Sequence, residues 1–139
     1  MEAATLRFFM PMQPPTATAQ THAVTVRRGK PVFFDPPGLK DAKAKLAAHL
    51  ARHAPGEPFT QPVELLAMWC FDSGGRHPDG GWKATRPDTD NLQKALKDAM
   101  TKLRFWTDDA LVARETCEKR WADTPGILVQ VSPLEGGTP

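Results

Sequence analysis

The sequence RPDTDNLQKALKDAMTKLRFWTDDALV, residues 86–112, decides how the rest of the chain is interpreted. Its central part predicts an amphipathic helix over about 91–102, because apolar residues recur there with a period near 3.6. That apolar stripe consists of Leu92, Ala95, Leu96, Ala99, Met100 and Leu103. Two aspartates stand just ahead of the helix and two more follow it. They are either helix caps and turn residues or ligands of a metal ion.

On either side of this stretch the chain alternates between strand and helix patterns. GLKDAKAKLAAHLARHA, residues 38–54, predicts a second helix, which Pro55 and Gly56 end. PVELLAMWCF, residues 62–71, carries apolar side chains on both faces and predicts a strand buried on both sides. The glycine-rich DSGGRHPDGG that follows predicts a mobile loop. Further strands are predicted at 6–10, in a hairpin over 22–34, near 111–121 and at 126–131.

The bulk properties are those of an ordinary globular domain. A chain of 139 residues fits one domain and can bury enough surface to fold without a disulfide or a structural metal. Cys70 and Cys117 lie in apolar or strand-like runs, which predicts buried free thiols in a reducing cytoplasm. Neither a signal peptide nor a membrane-spanning run is expected. The net charge of +2 is too small to indicate a partner by itself.

The pair Asp88 and Asp90 has two explanations. Asp90 stands at the expected N-cap of the helix, and Gln93 three residues later completes a capping-box pattern. Asp88 follows Pro87 in a stretch that should be extended, where residues i and i+2 point the same way. Both carboxylates would then project together at the helix N-terminus. Their repulsion is partly offset by the helix dipole, and a divalent cation would offset far more of it.

Two further features can be interpreted in the same two ways. Lys94 lies on the polar face of the helix, where a solvated lysine is equally usual. Asp108 and Asp109 come where the chain turns into the next strand, and Asp pairs are common in turns. A helix leading away from the first pair and a strand returning past it would bring Asp109 back to Asp88 and Asp90. Three carboxylate ligands suit Mg²⁺ or Mn²⁺ rather than zinc.

Positive charge is concentrated on two turns, one at the hairpin and one just ahead of the first acidic pair. The residues concerned are Arg27, Arg28, Lys30, Arg76, Lys83 and Arg86. Basic clusters on turns suit contact with phosphate groups, and these six are the candidate DNA-binding residues. The alternative is that they are ordinary solvated turn residues.

Residues 86–112 resemble the core motif of the RusA family of Holliday junction resolvases, endodeoxyribonucleases of bacteria and their prophages. The family pattern is Asp-x-Asp-Asn-Leu-x-Lys, then an Asp-Ala helix, then Asp-Asp-Ala-x-Val. Each element is present here, including the separation between the second Asp and the Asp-Asp pair. FFMPMQPPTATAQ, residues 8–20, is similar to the family's N-terminal Pro-x-Pro-Pro stretch. It departs from that stretch where TATAQ replaces the polar residues that usually follow the prolines.

The resemblance implies one α+β domain over residues 1–139, with a mixed β-sheet packed by two main helices. The C-terminal SPLEGGTP separately predicts a flexible tail over about 133–139. The resemblance also implies the roles of four residues, each matched position by position. Asp88, Asp90 and Asp109 would be the metal ligands and Lys94 the catalytic lysine. Asp108 matches the less essential Asp of its pair and would support the turn. The implied cofactor is Mg²⁺, with Mn²⁺ as an alternative.

The resemblance further implies a homodimer that cuts four-way junction DNA by paired, symmetric nicks, in the cytoplasm of a bacterium and encoded by it or by a phage. The chemistry agrees, because carboxylate-bound Mg²⁺ can activate water and neutralise the scissile phosphate. One alternative is a non-catalytic junction-binding protein of the same fold, against which the intact set of Asp88, Asp90, Lys94 and Asp109 argues. A second is a metal-dependent phosphohydrolase of small molecules, which the short chain and the lack of a phosphate-binding glycine loop disfavour.

Overall fold

The structure, a computed structural model, describes residues 4–16, 23–27, 29–34 and 38–136. Six strands and two α-helices follow one another along these described ranges. In order they are β1 (Leu6–Met10), β2 (Ala23–Arg27), β3 (Lys30–Phe34), α1 (Leu39–Ala51), β4 (Val63–Asp72), α2 (Thr89–Lys102), β5 (Val112–Ala122) and β6 (Gly126–Pro133). A short 3₁₀ turn, Asp109–Leu111, stands between α2 and β5. All the predicted helices and strands are therefore present, and their ends lie within about three residues of the predicted ones.

Four strands form one mixed sheet in the order β1-β6-β4-β5. The strand β4 lies between β6 and β5 and is called the inner strand below; it runs parallel to β5 and antiparallel to β6. Because β4 and β5 are parallel, a crossover must connect them, and α2 is that crossover. β2 and β3 pair with each other as the predicted hairpin, with Arg27 opposite Lys30. The α+β architecture with a mixed sheet and two helices is confirmed.

The core lies between the helices and one face of the sheet. On β4 the alternating residues Val63, Leu65, Ala67, Trp69 and Phe71 are all buried. The helices cover them with Leu46, Leu50, Leu92, Leu96 and Met100. The 3.6-residue stripe of α2 and the two-residue alternation of β4 thus meet at one interface, which is the usual way in which a helix covers a sheet.

The opposite face of β4 differs from the prediction. Leu66 and Met68 are only half-buried, and Phe9 on β1 is 40% exposed. The prediction that β4 is buried on both faces is wrong for this side. Both α-helices pack on the other face, and no helix among the described residues covers this one. We call the side chains of Phe9, Leu66, Met68 and Leu128 the open face of the sheet.

The glycine-rich loop after β4 makes several contacts with β5, whereas the sequence predicts a mobile loop. The ring of His77 stacks on Trp121 with the centroids 3.9 Å apart. The Gly80 N–H donates to the Trp121 carbonyl at 2.7 Å, and the Asp79 carboxylate accepts from the Asp123 N–H at 2.9 Å. These contacts hold the segment that leads from β4 to the first acidic pair.

The C-terminal end of the domain is also more ordered than expected. β6 extends to Pro133, and the Leu134 N–H donates to the Pro62 carbonyl at 2.9 Å. A tail that begins at 133 is therefore too long by at least two residues, and 137–139 lie outside the described residues. Within the described part of the chain, no helix is long and apolar enough to cross a membrane.

The close approach of β1 to β6 gives a test of the packing. A Cβ atom on Gly126 would lie 2.6 Å from the Met10 carbonyl oxygen and would also overlap the ring of Phe9. We expect Gly126→Ala to lower the free energy of unfolding by about 1–3 kcal/mol, because the backbone of β1 cannot move aside cheaply. Urea denaturation of the variant and of the wild type measures this change.

Gly56→Ala is the matched control, because a Cβ atom there meets nothing within 4 Å. Its free energy of unfolding should stay within about 0.5 kcal/mol of the wild-type value. Equal effects of the two substitutions would contradict the packing of β1 on β6.

Candidate functional site

The N-terminus of α2 is built differently from the predicted capping box. The helix begins at Thr89, and Asp88 with its extended backbone is the N-cap, although its side chain makes no capping hydrogen bond. Asp90 lies inside the first turn. The predicted N-cap role of Asp90 is therefore wrong, because Asp88 ends the extended segment two residues earlier. Asp88 and Asp90 also do not share one strand face, since only Asp88 is extended.

Gln93, the other half of the predicted capping box, faces the sheet instead. Its side chain is 5% exposed, and its oxygen accepts a hydrogen bond from the indole N–H of Trp69 at 3.0 Å. Its amide nitrogen donates to Glu115 on β5 at 3.1 Å. The indole nitrogen can only donate, so this contact fixes which end of the Gln93 amide points to Glu115. Gln93 thus fastens the first turns of α2 to two strands.

An open pocket of about 520 Å³ lies between this end of α2, the 3₁₀ turn and β5. Its lining includes three of the predicted site residues, Asp90, Lys94 and Asp109. Glu115 from β5 completes the wall. The crossover from β4 to β5 therefore brings the second acidic pair back to the helix, as the sequence predicts for Asp109. Asp88 does not line this pocket, and it directly precedes Thr89, which does.

The two aspartates of the second pair have separate roles. Asp108 is the N-cap of the 3₁₀ turn, and its carboxylate accepts from the Ala110 N–H at 2.8 Å. This confirms Asp108 as the residue that supports the turn. Asp109 is exposed, and its carboxylate has no hydrogen bond or ion pair with any described residue. The preceding Phe105 and Trp106 are fully buried and anchor this end of the chain, as expected.

Each lysine of the pocket is paired with a carboxylate. Lys94 Nζ lies 3.2 Å from the Asp98 carboxylate, one turn further along α2, and both side chains are about half exposed. Lys97 Nζ lies 3.1 Å from the Glu115 carboxylate across the gap between α2 and β5. An exposed i,i+4 pair such as Lys94–Asp98 is held by only a few tenths of a kcal/mol, roughly, so Lys94 can turn to another anion at little cost.

The expected three-carboxylate metal cluster is only partly assembled. In the described ranges, no three Asp, Glu, His or Cys side chains lie close enough to hold one ion together. Asp90 and Asp109 nevertheless line the same pocket, and neither carboxylate has a partner among the described side chains. The donors are carboxylates, the kind of ligand that Mg²⁺ and Mn²⁺ prefer. The residues therefore fit a hard divalent cation, and the ligand set remains a prediction.

Cys117 is the one sulfur donor in the pocket lining. Burial raises the pKa of its thiol to about 11, so the thiol stays protonated near neutral pH. A neutral thiol is a poor metal ligand, in contrast to a thiolate. Both cysteines are free, as predicted, and Cys70 is buried, but Cys117 is only half-buried, so the prediction of a buried thiol is wrong for Cys117.

The predicted DNA-binding residues fall into three groups. Arg76 and Arg86 are exposed. The Lys83 ammonium group packs over the rings of Trp121 and Phe71. Partial burial is the main cause that lowers the pKa of Lys83, and the nearby positive charge of Lys119 lowers it further. The side chains of Arg27 and Lys30 are not described, and Arg28 lies outside the described residues. Whether any of the six contacts DNA remains a prediction.

Three site residues on β5 were not predicted from the sequence. Glu115 and Cys117 line the pocket, and Lys119 donates to the carbonyls of Thr85 and Pro87 at 2.6 and 2.8 Å. Lys119 thereby holds the segment that enters α2. All three point to the helix side of an edge strand, and their spacing of two residues is the signal that could have identified them. That signal becomes useful only once β5 is known to lie beside α2.

Comparison with known proteins points to a single family. The family model described as endodeoxyribonuclease RusA matches residues 11–132. A curated relative named crossover junction endodeoxyribonuclease rusA, from Lactococcus phage r1t, is 34% identical over 97 residues. That alignment covers 68% of this chain and 72% of the relative. The region matched by the family model includes both helices, the inner strand β4 and every residue that lines the pocket.

The buried amide of Gln93 gives a test of how the site is held. In Gln93→Leu the indole N–H of Trp69 loses its acceptor, and Glu115 loses a donor. We expect the free energy of unfolding to fall by about 1–3 kcal/mol, the cost of leaving a buried polar group without a partner. Gln13→Leu is the control at an exposed position of the same residue type. An equally small effect at both positions in urea denaturation would contradict the role given to Gln93.

Proposed function

The chain belongs to the RusA family of endodeoxyribonucleases, and from this premise we propose that it resolves four-way DNA junctions by metal-dependent cleavage at the N-terminal end of α2. The observation that carries the proposal is the common pocket of Asp90, Lys94 and Asp109. Two carboxylates that have no partner among the described side chains share one open pocket with a lysine, and this arrangement suits the hydrolysis of a phosphodiester. The proposed cofactor is Mg²⁺, and Mn²⁺ would serve the same carboxylates.

The proposed roles follow from charge and position. Asp88, Asp90 and Asp109 would hold the metal ion, which when bound supplies an activated water and neutralises the scissile phosphate. Asp88 stands at the N-cap, two residues before Asp90, and its side chain makes no capping hydrogen bond that would compete with a metal ion. Two or three carboxylates also repel DNA, and this is why the site needs both a cation and nearby lysines.

Lys94 would stabilise negative charge on the scissile phosphate or on the leaving oxygen. Its ammonium group is now 3.2 Å from Asp98, and the pair is about half exposed. A phosphodiester entering the pocket would compete with Asp98 for this ammonium group. The interaction would be strongest in the transition state, where the phosphate carries the most charge, and it would therefore act on the rate rather than on affinity.

The DNA around the cleavage point would be held by its phosphates. Arg76 and Arg86 are exposed on the segment that leads into α2. Arg27 and Lys30 pair with each other at the end of the hairpin, and Arg28 follows Arg27 in the sequence. Contacts of basic side chains with phosphates fix the position of a strand without reading its bases. Because the chain would act on chromosomal or phage DNA, we place it in the bacterial cytoplasm. The curated relative of 34% identity is a phage protein.

We further propose that the active form is a homodimer, because a four-way junction has two-fold symmetry and needs two matching cuts. The open face of the sheet supports this assembly. At the margin of that face, Trp82 is 66% exposed and its ring lies 3.8 Å from the Arg120 guanidinium. Partly exposed apolar side chains bordered by Trp and Arg are typical of protein interfaces. A second copy is the partner that the junction itself requires.

The decisive experiment incubates the protein with an end-labelled synthetic four-way junction, with Mg²⁺ and with a chelator. The proposal expects nicks in two strands of like polarity with Mg²⁺ and none with the chelator. Binding without cleavage under both conditions would instead favour a non-catalytic junction-binding protein of the same fold. Neither binding nor cleavage would favour an enzyme acting on small phosphate esters.

The first prediction concerns the carboxylates. Asp88→Asn, Asp90→Asn and Asp109→Asn each keep the side-chain shape but remove a charge and a strong metal-binding oxygen. We expect cleavage to fall by several orders of magnitude, while junction binding is kept or strengthened because the repulsion of phosphate is smaller. Single-turnover cleavage and gel-shift binding measure the two effects separately.

Asp108→Asn is the matched control for these variants. Asn is as good an N-cap as Asp, so the 3₁₀ turn should persist and cleavage should stay close to the wild-type rate. An equal loss of cleavage in Asp108→Asn and Asp109→Asn would mean that the roles within this pair are wrongly assigned.

The second prediction concerns the dimer. A mixed dimer with one wild-type subunit and one Asp90→Asn subunit carries two DNA-binding surfaces but only one active pocket. We expect it to bind the junction as the wild type does and to leave a singly nicked, unresolved product. Differently tagged subunits allow its purification, and a denaturing gel counts the nicks. Full resolution by this heterodimer, or activity confined to a monomeric species, would rule out paired sites.

A further inference from the structure

The carboxylate of Glu115 has two donors on α2. One of its oxygens accepts from Lys97 Nζ at 3.1 Å, and the other accepts from the amide nitrogen of Gln93 at 3.1 Å. All three residues line the same pocket as Asp90 and Lys94. The proposed cleavage chemistry uses none of the three.

The donors around Glu115 are those that bind a phosphodiester. A phosphodiester presents one negative charge spread over two oxygens, as a carboxylate does, and a lysine with an amide N–H₂ satisfies both. The Gln93 amide cannot turn its oxygen toward the anion without giving up the indole N–H of Trp69. The helix therefore presents a fixed donor and a cation at this point, whichever anion occupies it.

The position of this donor pair suits a phosphate next to the scissile one. Lys94 and Lys97 are three residues apart on α2, so their side chains leave the helix as neighbours, with Cβ atoms about 5–6 Å apart. A strand whose scissile phosphate lies at Lys94 would bring an adjacent phosphate toward Lys97.

We propose that Lys97 and Gln93 form a second phosphate-binding subsite for the DNA strand, and that Glu115 occupies this subsite in the free protein as an internal competitor. The inference rests on the proposed function, since it assumes that DNA enters this pocket. Glu115 belongs to an edge strand, and its side chain is 38% exposed, so it can swing into solvent when a phosphate takes its place. Binding of DNA would then cost the breaking of one partly exposed ion pair.

Junction binding measured at several salt concentrations without divalent cations tests this subsite. Lys97→Ala removes the cation and should weaken binding several-fold. It should also lower the slope of log affinity against log salt by about 0.9, the contribution of one phosphate contact. Glu115→Gln removes the competing anion but keeps the shape of the side chain, and it should tighten binding several-fold. In a Lys97→Ala background, most of the gain from Glu115→Gln should disappear, because the freed cation is no longer there.

Lys102→Ala is the matched control, since it removes the same charge from an exposed site in the last turn of α2, outside the pocket. Its salt slope should stay nearer to the wild-type value than that of Lys97→Ala. Thermal melting monitored by circular dichroism shows that each variant is folded. Unchanged or weaker binding by folded Glu115→Gln would overturn the inference. So would a Lys97→Ala slope equal to that of the wild type.

The outcomes separate this inference from the proposed function. If the wild type binds and cuts the junction while Glu115→Gln binds no more tightly, only the subsite fails. If the wild type neither binds nor cuts the junction, the proposed function itself fails.

Discussion

The packing of α2 on the inner strand β4 is the constraint on which the candidate site depends. Leu92, Leu96 and Met100 are fully buried against that strand, which fixes the rotation of the helix about its axis. The rotation is refined by one polar contact, the hydrogen bond from the Trp69 indole to Gln93. Because the indole N–H is fully buried, it requires an acceptor, and only one side of α2 supplies it. Asp90 and Lys94 are then directed to the gap beside β5.

The same packing explains how residues far apart in sequence share one pocket. β4 and β5 are parallel neighbours, so the chain must return across the sheet before β5 begins, and it does so through α2. The acidic pair after the helix therefore comes back to the helix N-terminus. On β5, Glu115 faces α2. Lys119 donates hydrogen bonds to the carbonyls of Thr85 and Pro87, in the segment that leads into α2. The sheet holds the position of α2, and α2 contributes most of the side chains that line the pocket.

Much of this could be predicted from the sequence because periodicity is a local property. The stripe of α2 and the short apolar strands were identified from their spacing alone. The exact start of α2 could not be predicted, because Asp88, Thr89 and Asp90 are all acceptable N-caps. Tertiary contacts determine which of them takes that position. Gln93 was misassigned for the same reason. The Gln93 side-chain amide could serve either a local capping box or a long-range hydrogen bond with Trp69. It forms the bond with Trp69, because leaving the buried indole N–H without an acceptor costs more.

The parts that escaped prediction depend on pairing between distant strands. Glu115 looks like an ordinary surface residue until β5 is placed next to α2. The open face of the sheet could not be foreseen either, since Leu66 and Met68 are as apolar as any buried pair. Only the topology shows that both helices lie on the other side. The sequence motif suggests three candidate metal ligands, and two of the three, Asp90 and Asp109, share the pocket.

Lys94→Ala offers the most direct test of the catalytic centre. Alanine is a better helix former than lysine, so α2 should persist. The loss of the Lys94 side chain removes no proposed metal ligand. We predict that the purified variant binds a four-way junction nearly as tightly as the wild type but cuts it at a rate lower by orders of magnitude, with Lys102→Ala as the control on the same helix. A Lys94→Ala protein that cuts the junction at the wild-type rate would contradict the placement of the catalytic centre in this pocket.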